Sequence, residues 1–322
     1  MIEYDVVVVG GGAAGLSAAL VLTRARRRVT VIDAGEPRNA PAAHMQGFLG
    51  SDGLPPTELL AAGRAEVAGY GGELVSGTVA TITARPRRSA HGRGGFEVVL
   101  ADGSTRKTRR VLVTTGLRDD IPDIPGVRER WGRDLLHCPY CHGYEVRDQP
   151  LGVLGGGPAF IEDALAHTHI IRQWSDDVVF FTNGSTLTVA QREQLVARAI
   201  GLVDVPVARL VVENDELTGV ELEGGQVVPR TSVFVRPQFV PNDTLLTDLG
   251  CETGANGWVA VDATGRTSVA GIWAAGNAVN PRAQVITAAG EGSAAAIAIN
   301  NDLVEEDLPI AVANFRLGLP VG

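Results

Sequence analysis

The stretch from Tyr4 to Asp33 limits the folds open to this chain more than any other. Tyr4 to Val9 is a short β-branched run that ends in Gly10-Gly11-Gly12-Ala13-Ala14-Gly15, and the Ala- and Leu-rich stretch Leu16 to Arg26 follows it. Strand, Gly-x-Gly-x-x-Gly turn and helix in that order make a dinucleotide-binding fingerprint. Gly10 forms the tight turn, Gly12 lets the backbone approach a pyrophosphate, and Gly15 lets helix and strand pack closely. The next strand, Val29 to Ile32, ends at Asp33, an acid about 20 residues on that can accept hydrogen bonds from an adenosine ribose. The bland alternative is a glycine-rich turn in a doubly wound sheet that binds nothing. Strand, glycines, helix and acid in register favour a bound dinucleotide.

The rest of the chain repeats this plan. Arg38 to Gly53 reads as a polar loop, Pro55 to Ala68 as a helix and Glu73 to Thr83 as strands. Phe96 to Leu100 and Ser104 to Thr108 flank Ala101-Asp102-Gly103 as a hairpin. The basic, Gly-containing segment Arg85 to Gly95 reads as a solvated loop. Val111 to Thr115 is a further strand, closed by Thr114-Thr115-Gly116 at the carboxyl edge, where such sheets hold ligands. After a Pro/Gly-rich boundary at Ile121 to Gly126 the opening motif recurs: strand Leu151 to Leu154, turn Gly155-Gly156-Gly157-Pro158-Ala159-Phe160, helix Ile161 to Trp174, strand Val178 to Phe181. The second copy is damaged. Phe160 stands where a third small residue belongs and would push the helix off the strand. The following strand ends in Thr182-Asn183-Gly184, without an acid for a ribose or an arginine pair for a 2′-phosphate. This unit is expected to bind nicotinamide nucleotide poorly or not at all. Helix Val189 to Ile200 and strands between Val203 and Phe234 complete it, and Pro237 to Asn242 is the second crossover. Trp258 to Val261 then reads as a strand, Gly271 to Gly276 as strand plus turn, and Gln284 to Asn300 as a small-residue helix whose N-terminus can point amides at an electron-rich ring carbonyl. The fold class is α/β, with two three-layer Rossmann-like units. The second, 119–239, is inserted between 1–118 and 240–322.

Between the two fingerprints lies His137-Cys138-Pro139-Tyr140-Cys141-His142. Two thiols at Cys-x-x-Cys spacing can close into a disulfide ring and reopen to a dithiol, and the thiolate is stabilised when a neighbouring base takes its proton. Half of a zinc site is the competing reading, but structural zinc needs about four ligands. The remaining cysteine, Cys251, has no partner near it and reads as a small buried hydrophobe. With 28 basic and 37 acidic residues the net charge is -9, against a nucleic-acid partner. No apolar run approaches the length of a membrane span, and the N-terminus enters a strand without a leader-like segment. A cytoplasmic location is expected, where Cys-x-x-Cys suggests a catalytic pair.

Three signatures in this order resemble the low-molecular-weight thioredoxin reductase family of flavoproteins: Gly10-x-Gly12-x-x-Gly15, Cys138-x-x-Cys141 just before a second glycine-rich turn, and Gly271-Ile-Trp-Ala-Ala-Gly276-Asn277 followed by Gln284-Val-Ile-Thr-Ala-Ala-Gly290-Glu-Gly292. The resemblance covers essentially the whole chain. It implies an FAD domain made of both chain ends, a central nicotinamide-type domain carrying the cysteines, and a homodimer. Cys-Pro-Tyr-Cys-His-Gly-Tyr-Glu with a degraded second fingerprint is most similar to the branch of FAD-dependent dithiol oxidases that close disulfides in natural products of the gliotoxin, holomycin and romidepsin type. The resemblance implies that Gly10, Gly12, Ala14, Gly15, Asp33 and Ala34 hold the AMP half of FAD, with Val79 and Thr115-Gly116 alongside. Gly276 and Asn277 would meet the cofactor, and Gln284 and Val285 would meet its ring. Asn277 replaces the aspartate usual after Ala-Ala-Gly. The implied reaction takes electrons from a small-molecule dithiol through Cys138 and Cys141 to FAD and then to oxygen, or to NADP as some members do. His142 is the first candidate for the base the thiols require, with His137 and Glu145 behind it. The alternatives are an NADPH-dependent disulfide reductase running the same cysteines in reverse, and a flavin-binding regulatory or structural protein with a silent disulfide.

Overall fold

The computed structural model describes residues 4–85, 94–156 and 160–318. Most of the basic loop at 85–95 and Gly157-Pro158-Ala159 of the second glycine turn lie outside the described residues. In chain order the elements begin with β1 (Tyr4–Val9), α1 (Ala13–Arg24), β2 (Val29–Asp33), α2 (Pro56–Gly69), β3 (Glu73–Ser76), β4 (Val79–Arg85), β5 (Gly95–Leu100) and β6 (Thr105–Val113). The crossover strand β7 (Leu117–Asp120) leads to α3 (Val127–Arg130), β8 (Leu135–Leu136), α4 (Pro139–His142), β9 (Leu151–Leu154), α5 (Ile161–Ile171), β10 (Val178–Phe181), α6 (Val189–Ala197), β11 (Gly201–Val203), β12 (Val207–Glu213), β13 (Glu216–Leu222), β14 (Val227–Pro229) and β15 (Ser232–Val235). The return strand β16 (Gln238–Pro241) pairs with β7, and α7 (Thr244–Asp248), β17 (Ile272–Ala274) and α8 (Val285–Arg316) complete the chain.

The chain divides into two compact units, one of residues 1–40, 56–118 and 241–322, the other of 41–55 and 119–240. In the first, β3, β2, β1, β6 and β17 are parallel neighbours, and β4, β5 and the start of β6 form an antiparallel meander. Val111 to Thr115 is therefore not a strand of its own. It continues the hairpin strand into β6, whose first half pairs with β5 and whose last three residues pair with β17. Both faces of the sheet are covered, which is why β1 and β2 read as continuous apolar runs. On one face Leu16, Leu22, Leu60, Trp273 and Ile299 pack together. On the other, Val98, Val111, Leu246 and Cys251 do, and Cys251 is a buried free thiol, as its sequence context implied.

The second unit has a parallel sheet in the order β11-β10-β9-β15-β8 and a meander β12-β13-β14. Two further expectations are corrected. Trp258 to Val261 forms only an isolated bridge, Thr253 with Val259. The last helix runs on past Asn300 to Arg316, with Pro309 inside it. Its N-terminal half is held by packing of Ala288, Gly292, Ala295, Ala296, Ile299 and Leu303, and its C-terminal half by charge. Arg109, 1% exposed, bonds Asp5 at 3.2 Å, Glu306 at 3.0 Å and Asp307 at 2.6 Å. Arg110 pairs with Asp302, and Arg27 donates to Asn300. Among the described residues no helix is long and apolar enough to cross a membrane.

Candidate active site

The first unit builds a cradle at the carboxyl ends of β1, β2 and β6. Gly10, at φ +103°, donates its N–H to the Ile32 carbonyl, and a Cβ on Gly15 would lie 1.9 Å from the Gly10 carbonyl oxygen, so only glycine permits this helix-to-turn approach. A Cβ on Gly12, by contrast, would meet nothing within 4 Å. Beside that open space α1 starts with Gly12 as its N-cap, no side-chain cap and no acid in its first turn. Its leading amides and the positive end of its dipole suit a pyrophosphate. Asp33 is fixed in place: one carboxylate oxygen accepts the Gly11 N–H at 3.0 Å and the other pairs with Arg64 at 2.9 Å. No motif marks Arg64, which reaches Asp33 from α2. Ala14 is buried at the start of α1 and Ala34 is exposed after Asp33. Val79 is 9% exposed, its side chain in the apolar core, so only its backbone remains for a ligand.

The Thr115-Gly116 turn is tied down. Thr115 Oγ1 donates to the Asn242 carbonyl at 2.5 Å, and Asn242 returns bonds to the carbonyls of Thr115 and Gly116 at 3.0 Å each. A second turn brings Gly276 against Ala14: a Cβ on Gly276 would lie 3.0 Å from Ala14 Cβ. Asn277 Nδ2 donates to the carbonyls of Asn280 at 2.9 Å and Ala283 at 3.0 Å, and its Oδ1 accepts from Arg38 at 3.4 Å. Glu291, from α8, accepts from Gly276 N at 2.9 Å and Asn280 Nδ2 at 2.6 Å. This bracket sets where α8 begins, at Gln284 as N-cap and half-buried Val285, again without a side-chain cap. The open space at Gly12, two uncapped helix starts and a fixed carboxylate fit a flavin dinucleotide.

In the second unit Cys138 and Cys141 form a disulfide, their Cα atoms 5.2 Å apart. Leu135 and Leu136 of β8 pair with β15, so His137 and Cys138 emerge at that strand's carboxyl end. Cys138 is the N-cap of α4, Pro139 occupies its first turn, and the Cys138 carbonyl accepts the N–H groups of Cys141 and His142 at 3.1 Å. Proline at that position removes an N–H that would go unbonded and presets the turn. Tyr140, 63% exposed, stands edge-on to Trp174 at 5.7 Å. His142 is half-buried, and that burial lowers its pKa below the ordinary imidazole value, with the Glu145 charge opposing it. It is therefore neutral and able to accept a proton at pH 7. Glu145 is exposed. The His137 ring lies between His167 at 5.7 Å and Phe239 at 5.1 Å. His167, on α5 and 6% exposed, escapes a motif-based reading because it is about thirty residues from the cysteines.

The nucleotide turn of this unit differs from expectation at Phe160. The helix starts at Ile161, as the sequence reads, and ends at Ile171, short of Trp174; Phe160 is its N-cap, with φ -120° and ψ 12°, and is 41% exposed. Because Phe160 lies at the N-cap with its side chain toward solvent, the ring does not wedge helix from strand. At the end of β10, Asn183 Oδ1 accepts the Val207 N–H at 3.1 Å and Thr182 is 1% exposed, so both serve the fold.

Comparison with known proteins is consistent across the chain. Residues 4–292 match the family model for pyridine nucleotide-disulphide oxidoreductases. The chain is 31% identical over 280 residues to "Thioredoxin reductase tcpT" of Claviceps purpurea (strain 20.1), covering 85% of this chain and 86% of that protein. It is 29% identical over 317 residues to "Thioredoxin reductase sirT" of Leptosphaeria maculans, covering 95% and 96%. Among solved structures, HlmI superposes with a TM-score of 0.92 at 57% identity over 98% of this chain and 97% of that one. A putative thioredoxin reductase TrxB from Bacillus anthracis superposes at 0.87 with 36% identity, over 94% and 99%.

Proposed function

Because this chain belongs to the pyridine nucleotide-disulphide oxidoreductase family, as a thioredoxin reductase-like FAD enzyme, we propose that it is a dithiol oxidase that closes an intramolecular disulfide in a small-molecule dithiol. The observation that carries this reading is the closed Cys138–Cys141 pair bounded on both sides by histidine. The 57% identity to HlmI along nearly the whole chain supports it. So does the end of β10, where Asn183 and Thr182 are engaged in the fold and no arginine pair stands for a 2′-phosphate.

A substrate thiolate attacks the Cys138 sulfur, forming a mixed disulfide and releasing Cys141 as a thiolate. The substrate's second thiol, as its thiolate, attacks its own sulfur in that mixed disulfide, freeing the cyclic product and Cys138. Two electrons now reside on the enzyme dithiol, and two protons have left the substrate. His142, held neutral by burial, is the first candidate to take one of them, with His137 and Glu145 behind it, and a released cysteine thiolate takes the other. Gly10, Gly12, Ala14, Gly15, Asp33 and Ala34 would hold the AMP half of FAD. Val79, Thr115, Gly116, Gly276 and Asn277 would line it, and Gln284 and Val285 would hold its ring. The chemistry FAD supplies when bound is acceptance of the dithiol's electron pair and its release to oxygen as hydrogen peroxide. The part of the chain at 1–118 and 240–322 acts as the FAD domain, and 119–239 as a nucleotide domain that no longer needs its nucleotide. A cytoplasmic homodimer belongs to this reading, supported by the exposed apolar side chains Ile297, Val304, Leu308 and Phe315 along α8.

Two additions test it. NADPH added anaerobically leaves the flavin yellow, whereas rapid bleaching makes the enzyme a reductase. A small dithiol in air then produces oxygen uptake and peroxide; if it produces neither, while NADP is reduced anaerobically, the acceptor is the nucleotide. Absence of both responses ends the oxidase reading.

A further inference from the structure

We propose that His167 is a positioning residue for His137, fixing the plane of that ring and so the direction from which it takes the proton of the Cys138 thiol. The proposal rests on the reading of Cys138 and Cys141 as the redox pair, and it gives the Cys138 proton to His137 while leaving His142 for the substrate's. Four rings form a row in the second unit. Phe234, fully buried in β15, meets His167 edge-on at 6.1 Å; His167 meets His137 at 5.7 Å; His137 meets Phe239 edge-on at 5.1 Å. The row leads from the rigid sheet to the residue next to the reactive sulfur. A side chain gripped on both sides loses rotamer freedom, so each proton transfer starts from one geometry.

An aromatic hydrocarbon at position 167 would grip as well, so the imidazole needs its own explanation. Neither nitrogen of His167 makes a hydrogen bond of normal geometry to a described residue, although the side chain is 6% exposed; the polar group it faces is the His137 backbone, close enough to favour a proton on the imidazole. Leaving such groups unbonded in the interior is costly, and a phenyl ring would avoid the cost. The nitrogens therefore point to a polar task toward His137. Burial lowers the His167 pKa to about 3, with the His137 side chain and Arg236 acting in the same direction and the His137 backbone partly offsetting them. Arg236 is itself paired with Asp163 at 3.2 Å. His167 thus stays uncharged throughout the working range and does not compete with His137 for the proton. The step is a simple transfer: the Cys138 S–H bond breaks, its proton moves to the His137 imidazole, and the thiolate keeps the electron pair.

The test reads Cys138 directly and needs neither the natural substrate nor oxygen. The dithiol-reduced, FAD-loaded enzyme is alkylated with iodoacetamide from pH 5 to 10, and modification of Cys138 is followed by peptide mass. His167→Phe keeps the ring and removes both nitrogens; flavin absorbance and melting temperature report folding. The midpoint is expected to rise by about one pH unit, so alkylation at pH 7 slows roughly tenfold. His167→Asn keeps a polar edge without the ring and is expected to slow it about threefold. The double variant His137→Ala/His167→Phe should be no slower than His137→Ala alone, since one residue acts through the other. A folded His167 variant whose profile superposes on wild type, or additive losses in the double variant, overturns the proposal. Should His167→Phe fail to fold, the His167→Asn profile decides. If dithiols give no oxygen uptake but the alkylation profiles shift as described, the oxidase reading fails and this one stands.

Discussion

An amide and a carboxylate are nearly the same size, yet at position 277 only the amide can donate. Asn277 Nδ2 gives hydrogen bonds to two carbonyls, of Asn280 and Ala283, in the loop that delivers α8. The resemblance places aspartate here, and the bonds Asn277 makes are ones that only an amide can donate. Aspartate would strengthen the contact to Arg38 but set a negative charge against two lone-pair-bearing oxygens. Asn277→Asp is expected to weaken FAD binding about tenfold, the loss of roughly 1.4 kcal/mol in hydrogen bonding. A fluorescence titration of the apoprotein with FAD checks this, and unchanged or tighter binding refutes it. His167 carries the clearest pH dependence. Its pKa is about 3 in the folded protein and 6.5 for a free imidazole, so the unfolded chain binds the extra proton first. Stability from this group is complete above pH 6.5 and declines as pH falls from 6.5 toward 3, by about 1.4 kcal/mol per unit. Urea midpoints at pH 7.5 and 5.5 should show that loss in the wild type and lose it in His167→Phe.

Helix α8 shows how one element can be held by two kinds of force. Its first half packs small residues on α1, and a Cβ on Gly292 would lie 2.0 Å from the Ala14 carbonyl oxygen, so the helices touch backbone to backbone. Past Leu303 it has no buried side chain, and the Arg109 network takes over. Paired and fully enclosed, Arg109 balances Asp5, Glu306 and Asp307; without it their charges lie close together and unmatched. Arg109→Ala is expected to destabilise the protein by about 3 to 5 kcal/mol. Chemical denaturation followed by circular dichroism measures it, and a change below about 1 kcal/mol would show the network to be dispensable.

At the scale of the whole molecule, the cradle belongs to one compact unit and the disulfide to the other. A ligand that binds only the folded first unit stabilises that unit by mass action, about 2.7 kcal/mol at a hundredfold excess over Kd. Stripping FAD should therefore lower the melting temperature of the first unit selectively and split the calorimetric transition in two. Adding FAD back should merge the peaks; a single unshifted transition in the apoprotein contradicts the placement of the cofactor. The net charge of -9 adds modest self-repulsion but no site.

What the sequence determined by itself is what obeys short-range rules. Glycines at 10, 12 and 15 after a β-branched run dictate strand, turn and helix, because sterics act over a few residues. Cys138 and Cys141 can close on each other because only two residues lie between them, and the recurrence after Leu151 announces a second parallel sheet. What only the tertiary structure decided is where side chains far apart in sequence meet. Arg64 reaches Asp33 from α2, Arg109 holds α8 beyond Asn300 at Glu306 and Asp307, and β6 is one strand because two neighbours share it end to end. Phe160 stays exposed because it caps α5 rather than lying within it, and His167 stands behind His137 because the phase of α5 aims it there. Such meetings depend on helix phase, strand order and burial together, and those are fixed only when the whole core is assembled.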